Sequence, residues 1–430
     1  MRILIVTQIF LPEMGALSNR LYPVARQLVA AGHEVFVATV MPNYPEGEVF
    51  ADYRGRRTMR EEMDGFTVLR TACYVTPRNQ SKWAQLRSYL GFIPAALRSG
   101  WRAGRLDVVL VTTPPIFPLI PAMLLARLRG ARLVLDVRDL WPEELITYAG
   151  YREDSLPVRV TAAIARRGYR AADCVIGTTD AILDATVERG AARAKTFFMP
   201  NGADLELFRP LPPRNPIARE YPFGDRFVVM YSGLFGIKHS LEVMLEAAAL
   251  LRGHKDIVFF LLGNGARRDA LVAEAKERGL DNVIFGGERS VRDVPALVSR
   301  ADVCFAAVRP EPYPKKVISV KVFEYMACGR PVVGALSGES ARILEESGGG
   351  IVVAPGDARA TADAVLSLYR AGAARRAEMG RAGRRYVEQH YSRAAWAARL
   401  EQRLRELCPD ASVRTEPAPY LAGESRGAEG

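Results

Sequence analysis

The chain has 430 residues, more than one hydrophobic core usually organises, so two globular domains of roughly 200 residues are expected and a single small module is excluded. Hydrophobic residues make up 49% and charged residues 25%, which excludes wholesale disorder and a polytopic membrane protein. A formal net charge of +11 favours an anionic partner: a phosphorylated ligand, an acidic membrane surface or nucleic acid.

The amino end, MRILIVTQIF, has one Arg and a short apolar run with no small-residue cleavage site after it, and predicts a first strand rather than a signal peptide. Further strands are predicted at 34–40, 66–71, 107–112, 132–137, 173–178 and 195–200, with a helix at 19–31 whose Leu21, Val24, Ala25 and Leu28 share one face. Residues 108–126 are uncharged and long enough to cross a bilayer. Pro114, Pro115, Pro118 and Pro121 argue against a span, because each removes a backbone donor and lipid cannot satisfy the carbonyls left over; a buried strand, a proline-rich turn and an apolar helix from about residue 121 are predicted instead.

A second strand series follows at 226–233, 256–263, 282–287, 302–308, 331–335 and 350–354. Apolar strands alternating with helices indicate parallel sheets covered on both faces. Residues 1–200 and 201–380 are the expected domains, with a Pro-rich boundary near 200–216. A long helical stretch at 377–407 follows, its part from 381 to 408 expected to cross back to the first domain, and residues 409–430 are expected to be disordered.

Cys73, Cys174, Cys304, Cys328 and Cys408 are odd in number and form no C-x-x-C pair, which argues against a disulfide framework or structural zinc and suits a reducing cytoplasm. His33, His239, His254 and His390 lack metal-ligand spacing; His239, beside Lys238, is placed to approach a phosphate.

The run SVKVFEYMACGRPVVG (319–334) carries the most chemistry. Ser319 is placed to cap a helix starting near Val320, and Gly329 with Pro331 ends it before the next strand. A helix amino end facing a cleft offers amides and the positive end of the macrodipole to a phosphate, and Lys321 adds a full charge. Glu324, a turn further on, is placed to accept hydrogen bonds from paired sugar hydroxyls. The same spacing also fits an ordinary capped helix with a solvated carboxylate.

This run resembles the donor-binding segment of family 4 glycosyltransferases, retaining enzymes of the GT-B fold. FLPEMGA (10–16), GHEV (32–35), PNGAD (200–204), YSGLFGIK (231–238), LLGNG (261–265) and ADV (301–303) are similar to family segments in the same order. The resemblance covers roughly residues 1–400 and implies an α/β architecture of two Rossmann-like, doubly wound domains with an interdomain cleft. It implies that Glu324 holds the nucleotide ribose, that Lys238 faces the diphosphate, and that Lys321 with the amides of Ser319 and Val320 supports it. Gly15, Gly233 and Gly263 count with them on the donor side, Gly15 as a backbone that approaches the phosphates without a Cβ. There is no D-x-D signature, so metal independence is expected, with no cofactor beyond the nucleotide-sugar substrate. The family's usual glutamate eight positions before Glu324 is here Lys316, and Glu311 in the same loop has the wrong spacing, which leaves the donor sugar unassigned.

DVRDLWPEE (136–144) resembles a segment of the bacterial subgroup that extends lipid-linked polysaccharides. Arg138, Asp139 and Glu143 are therefore the acceptor-side candidates, Asp139 or Glu143 as a base, with a structural salt-bridge cluster as the alternative. Residues 78–105 hold Arg78, Lys82, Arg87, Arg98, Arg102 and Arg105 without an acid, interleaved with apolar residues including Trp83 and Trp101, as expected of a segment lying on an anionic bilayer. The expected activity is a retaining transfer from a nucleotide-diphosphate sugar, UDP-linked, to a lipid-linked saccharide or similar acceptor in cell-surface polysaccharide biosynthesis. It is placed on the cytoplasmic face of the cell membrane, with no nucleic-acid partner. A sugar-nucleotide 2-epimerase and a non-catalytic sugar-nucleotide or glycan-binding subunit are the rivals.

Overall fold

Short apolar strands with helices between them bury both faces of a sheet only if the chain crosses over the sheet after each strand. A computed structural model describes residues 1–13, 15–44, 46–76, 82–310 and 318–413, and shows two such sheets. Arg78, Glu311, Lys316 and the tail from 414 lie outside the described residues.

The first unit runs β1 (Arg2–Val6), α1 (Ala16–Ala30), β2 (Glu34–Val40), β3 (Thr58–Met63), β4 (Phe66–Thr71), α2 (Lys82–Arg102), β5 (Val108–Thr113), α3 (Leu119–Arg129), β6 (Arg132–Val137), α4 (Glu143–Ala149), α5 (Leu156–Ala171), β7 (Cys174–Gly177), α6 (Asp180–Glu188) and β8 (Thr196–Phe198). The second runs α7 (Pro216–Arg219), β9 (Phe227–Ser232), α8 (Glu242–Leu250), β10 (Ile257–Leu262), α9 (Arg268–Glu277), β11 (Val283–Gly287), α10 (Val294–Arg300), β12 (Val303–Ala307), α11 (Val320–Ala327), β13 (Val332–Ala335), α12 (Gly338–Glu346), β14 (Gly350–Val353), α13 (Ala358–Arg370), α14 (Gly372–His390) and α15 (Arg393–Leu407).

The first sheet has the order β3-β4-β2-β1-β5-β6-β7-β8, parallel except for β3, and the second the order β11-β10-β9-β12-β13-β14, parallel throughout. Both orders reverse beside their first strand. The crevices where ligands settle in such sheets therefore lie above β1/β5 and β9/β12. Alternate side chains of β1 enter different cores: Leu4 and Val6 pack with Phe92 and Leu119, Ile3 and Ile5 with Leu21, Leu400 and Leu404.

Three expectations change. Residues 58–63 form an unforeseen antiparallel edge strand, turned back on β4 through Asp64 and Gly65, both at positive φ. The stretch 377–407 is not one helix: it breaks at Tyr391 and Ser392, where Ser392 Oγ accepts from the Ala395 amide and starts α15. Residues 409–413, expected to be disordered, form a 3₁₀ turn against the end of α15. The uncharged run 108–126 is β5 and the start of α3, and among the described residues no helix is long and apolar enough to cross a membrane.

The chain passes between the sheets twice, at one place. The Ala203 amide donates to the Tyr391 carbonyl at 2.9 Å and the Arg393 amide to the Ala203 carbonyl at 3.0 Å. α15 then packs on α1 of the first unit, where His33 Nε2 meets Glu401 Oε1 at 2.8 Å. Beneath the crossing, Arg20 from α1 pairs with Asp136 at 2.7 Å and donates to the carbonyls of Met199 at 2.9 Å and Pro200 at 3.2 Å. Both partners of that ion pair are almost wholly buried. Breaking it from one side strands a buried carboxylate, so Arg20→Ala should cost about 3–5 kcal/mol. Chemical denaturation reads this directly, and a loss below about 1 kcal/mol would show that the pair is not what holds the junction.

Candidate functional site

α11 buries Val322, Phe323, Tyr325 and Met326, so Lys321 and Glu324, three positions apart, share its remaining side. Its second half is fastened to the carboxyl end of β9: the Ser232 amide donates to Tyr325 Oη at 2.8 Å. Gly233 follows at φ +134, and a Cβ there would lie 2.5 Å from Lys321 Cε, so the absence of a side chain lets the lysine stem lie across the loop. Gly263, at φ +138, has the Gly233 carbonyl where its Cβ would stand. Gly15 is different. Its backbone is extended and a Cβ would make only an ordinary 3.5 Å contact with Tyr44, so nothing in the protein itself demands glycine there.

Ser319 precedes α11, but its hydroxyl makes no capping bond, and its amide donates to Ser340 Oγ at 3.0 Å. One of the two amides expected to face a phosphate is thus already occupied by α12, which leaves Val320 and Lys321 to form the amino end of the helix. Burial lowers the Lys321 pKa to about 8, partly offset by Glu324. His239, beside Lys238, is held down at about 3 by burial and by the two lysines, so it is neutral at physiological pH. Burial pushes the Glu324 carboxyl up, while Arg393, whose Nη2 lies 3.3 Å from Glu324 Oε1, and Lys321 pull it back.

The same Arg393 donates from Nε to the Asn201 carbonyl at 3.1 Å, which ties α11 to the crossing point. From the first unit, Lys238 Nζ is met by Glu144 Oε1 at 3.7 Å. Burial and then Asp139 raise the Glu144 pKa to about 7, against the pull of Lys238. Arg138 is buried near Arg20, Asp139, Asp136 and Arg393; burial lowers its pKa, and its Nε has no hydrogen-bond partner among the described residues.

Of the residues singled out in the sequence, Gly233, Lys238, Gly263, Ser319, Lys321 and Glu324 surround one end of the second sheet, and Asp139 and Arg138 face the same interdomain region. Glu143 does not join them. It points to the other side of α4 and pairs with Arg189, with one contact at 3.0 Å and a second, shorter one. Its neighbour Glu144 holds the cleft position. The sequence carried two adjacent acids, and helical phase, which separates neighbours by about 100°, decides which one faces the cleft. Arg20 and Arg393 were also missed; the signal for Arg393 was Ser392, a helix cap inside a stretch read as continuous.

Residues 15–202 match the family described as "Glycosyl transferase 4-like domain", and residues 226–371 match "Glycosyl transferases group 1". WcaI of Escherichia coli K12, named for glycosyl transfer in colanic acid biosynthesis, is 28% identical over 338 residues, covering 76% of this chain and 82% of that protein. WbjE of Pseudomonas aeruginosa, named as a glycosyltransferase, is 26% identical over 74% of this chain and 80% of its own. Among solved structures, Anabaena HepE in complex with UDP superposes with a TM-score of 0.68 at 18% identity, over 94% of this chain and all of that one (100%). Sucrose-phosphate synthase from Thermosynechococcus elongatus gives 0.71 at 20% identity, over 94% and 98%.

The lowered Lys321 pKa sets a pH dependence. An anion bound beside the ammonium favours its charged form, so affinity is full below about pH 7 and falls as the free protein loses that proton around pH 8. UDP affinity measured by calorimetry should drop by up to about tenfold between roughly pH 7 and 9. In Lys321→Met it should be weaker and flat over the same window; a flat wild-type profile would remove Lys321 from the anion's surroundings.

Proposed function

Because the chain belongs to the group 1, family 4-like glycosyltransferases and has their GT-B fold, we propose that it transfers a sugar from a nucleoside-diphosphate donor, UDP-linked, to a lipid-linked saccharide with retention of configuration. It is a glycosyltransferase of polysaccharide biosynthesis, in line with WcaI, named for colanic acid biosynthesis. The observation that carries the donor assignment is the grouping of Lys321, Lys238 and the α11 amino end around the Gly233 loop, with Glu324 on the same helix side. Two lysines and helix amides supply fixed positive charge where a departing diphosphate gathers negative charge, and preorganised charge of this kind is effective because it needs no rearrangement during reaction. In this reading the donor leaves without a metal ion. Glu324, steadied by Arg393, takes the ribose hydroxyls.

In the reaction, the bond from the sugar's anomeric carbon to the diphosphate oxygen breaks. The acceptor oxygen bonds to that carbon on the same face, and the acceptor's proton passes to the departing phosphate. Arg138, Asp139 and Glu144 face this region from the first unit. Asp139 and Glu144 orient the acceptor hydroxyl, and Arg138, a cation whose Nε has no hydrogen-bonded partner among the described residues, adds to the field that holds the anionic leaving group.

The acceptor's lipid is read from the outer helices of the first unit. On α2 the exposed residues Trp83, Arg87, Leu90, Pro94, Arg98 and Trp101 recur every three or four positions and form one stripe, while Phe92, Ala95 and Ala96 face the core. Trp83 is 79% and Trp101 57% exposed, and the Arg129 guanidinium stands 3.9 Å over the Trp101 ring. α3 and α5, packed beside it, continue the face with exposed Leu124, Leu128, Leu156 and Val160. The three helices contain four, two and four basic residues and no acid. Their charge nearly equals the +11 of the whole chain. Exposed aromatics and aliphatics set in a one-signed basic field suit the inner, anionic leaflet of a cell membrane.

Incubation with a panel of nucleotide sugars and a lipid-linked saccharide tests the activity. Sugar transfer with retained configuration is expected; isomerisation without acceptor, or binding without turnover, would overturn it. Replacing Trp83 and Trp101 by Ser should lower binding to phosphatidylglycerol-containing vesicles by about tenfold or more and leave UDP affinity alone. Equal cosedimentation of variant and wild type would contradict the membrane face.

A further inference from the structure

Behind α4, on the side turned away from Lys238, lies a cleft of about 360 Å³. That volume falls at the small end of the range of ligand sites, roughly 300–1,000 Å³. Trp141, Pro142 and Ile146 form apolar walls, Ala162 and Arg166 of α5 form another, and the Glu143–Arg189 pair and Glu153 complete the rim. Trp141 is only 5% exposed, held edge-on by Phe117 with ring centres 6.2 Å apart. Its indole N–H has no hydrogen-bond acceptor among the described residues. The N–H is itself closed off from solvent, so Trp141 serves the cleft as a fixed aromatic wall and not as a donor.

The charges around the cleft select the ligand. Glu143 and Glu153 oppose Arg166 and Arg189, so the lining carries no net charge and a phosphate would meet two carboxylates. A neutral sugar suits it: apolar and aromatic walls take the C–H faces of the ring, and carboxylates and guanidinium groups take its hydroxyls. Position supports the same ligand. Glu143 borders the cleft while Glu144, the next residue, reaches Lys238 at the donor side, so α4 is the common wall of both places. α5, the opposite wall, exposes Leu156 and Val160 on the flank assigned to the bilayer. The cleft thus shares one wall with the donor side and the other with the flank assigned to the bilayer.

We propose that the Trp141 cleft is a saccharide subsite holding a neutral sugar of the acceptor adjacent to the unit that receives the transfer. The proposal rests on the acceptor reading given above, and makes the enzyme selective for an acceptor that already carries more than one sugar. Full-length protein with labelled tryptophan indoles is titrated with methyl glycosides and disaccharides of glucose, galactose, mannose and N-acetylglucosamine, and separately with inorganic phosphate and with UDP. The indole N–H resonance that disappears in Trp141→Phe should shift with a saccharide and not with phosphate. Ala162→Phe, which fills the cleft, should weaken that binding about tenfold or more while UDP affinity stays within about twofold. Should Ala162→Phe fail to fold, Arg166→Ala, on the surface, is read in the same way. No shift with any of the sugars, a shift with phosphate instead, or saccharide binding unchanged in the variants would each overturn the subsite. The sugar titration contains no nucleotide, so failure to bind UDP would count against the donor reading and leave the subsite result standing.

Discussion

A single guanidinium connects the donor side of this enzyme to the place where its two halves join. Arg393 holds Glu324 Oε1 at 3.3 Å and the Asn201 carbonyl at 3.1 Å, and its own amide pairs with Ala203, where the two crossing strands meet. The carboxylate that receives the nucleotide in the proposed mechanism is thereby indexed to the junction and not only to its own sheet. Arg20 secures the same linker from beneath through Asp136. Across the cleft, a half-exposed Lys238 meets Glu144 at 3.7 Å, a contact that solvent screens.

The electrostatic arrangement follows from that geometry. The side proposed for the donor gathers positive charge under burial, with Lys321 depressed to about 8 and His239 kept neutral beside it. The facing side, proposed for the acceptor, holds Glu144, raised to about 7 by burial and by Asp139. Each half holds its ionisable groups away from their ordinary behaviour, and groups perturbed in this way cluster where chemistry is done. Arg138 lies among Asp139, Asp136, Arg20 and Arg393, and its Nε has no hydrogen-bond partner among the described residues.

Much of this was legible in the sequence because burial on both sheet faces writes itself as near-continuous apolar runs. β2, β4 and β6 begin and end where the pattern says, and the glycines at 233 and 263 mark a turn where one backbone presses on another. β3 was not seen because an edge strand, TMREEM, alternates with charged residues and has no apolar run; the Asp64-Gly65 turn was its readable trace. The break before α15 was hidden because Tyr391 and Ser392 interrupt a stretch otherwise rich in helix formers, and that break is what delivers Arg393. Which of Glu143 and Glu144 faces the cleft depends on how α4 is rotated against the sheet, a tertiary fact that no local pattern contains. The unpaired indole of Trp141 is likewise a property of packing and not of spacing.

The central claim is that a nucleoside diphosphate sits at the amino end of α11. A crystal structure of the protein soaked with UDP tests it most directly. The account predicts the diphosphate within hydrogen-bonding distance of Lys321 Nζ and the α11 amides, over the Gly233 loop, with the ribose hydroxyls on Glu324. Density for the nucleotide elsewhere, with Lys321 still lying across Gly233 and Glu324 still held only by Arg393, would contradict it.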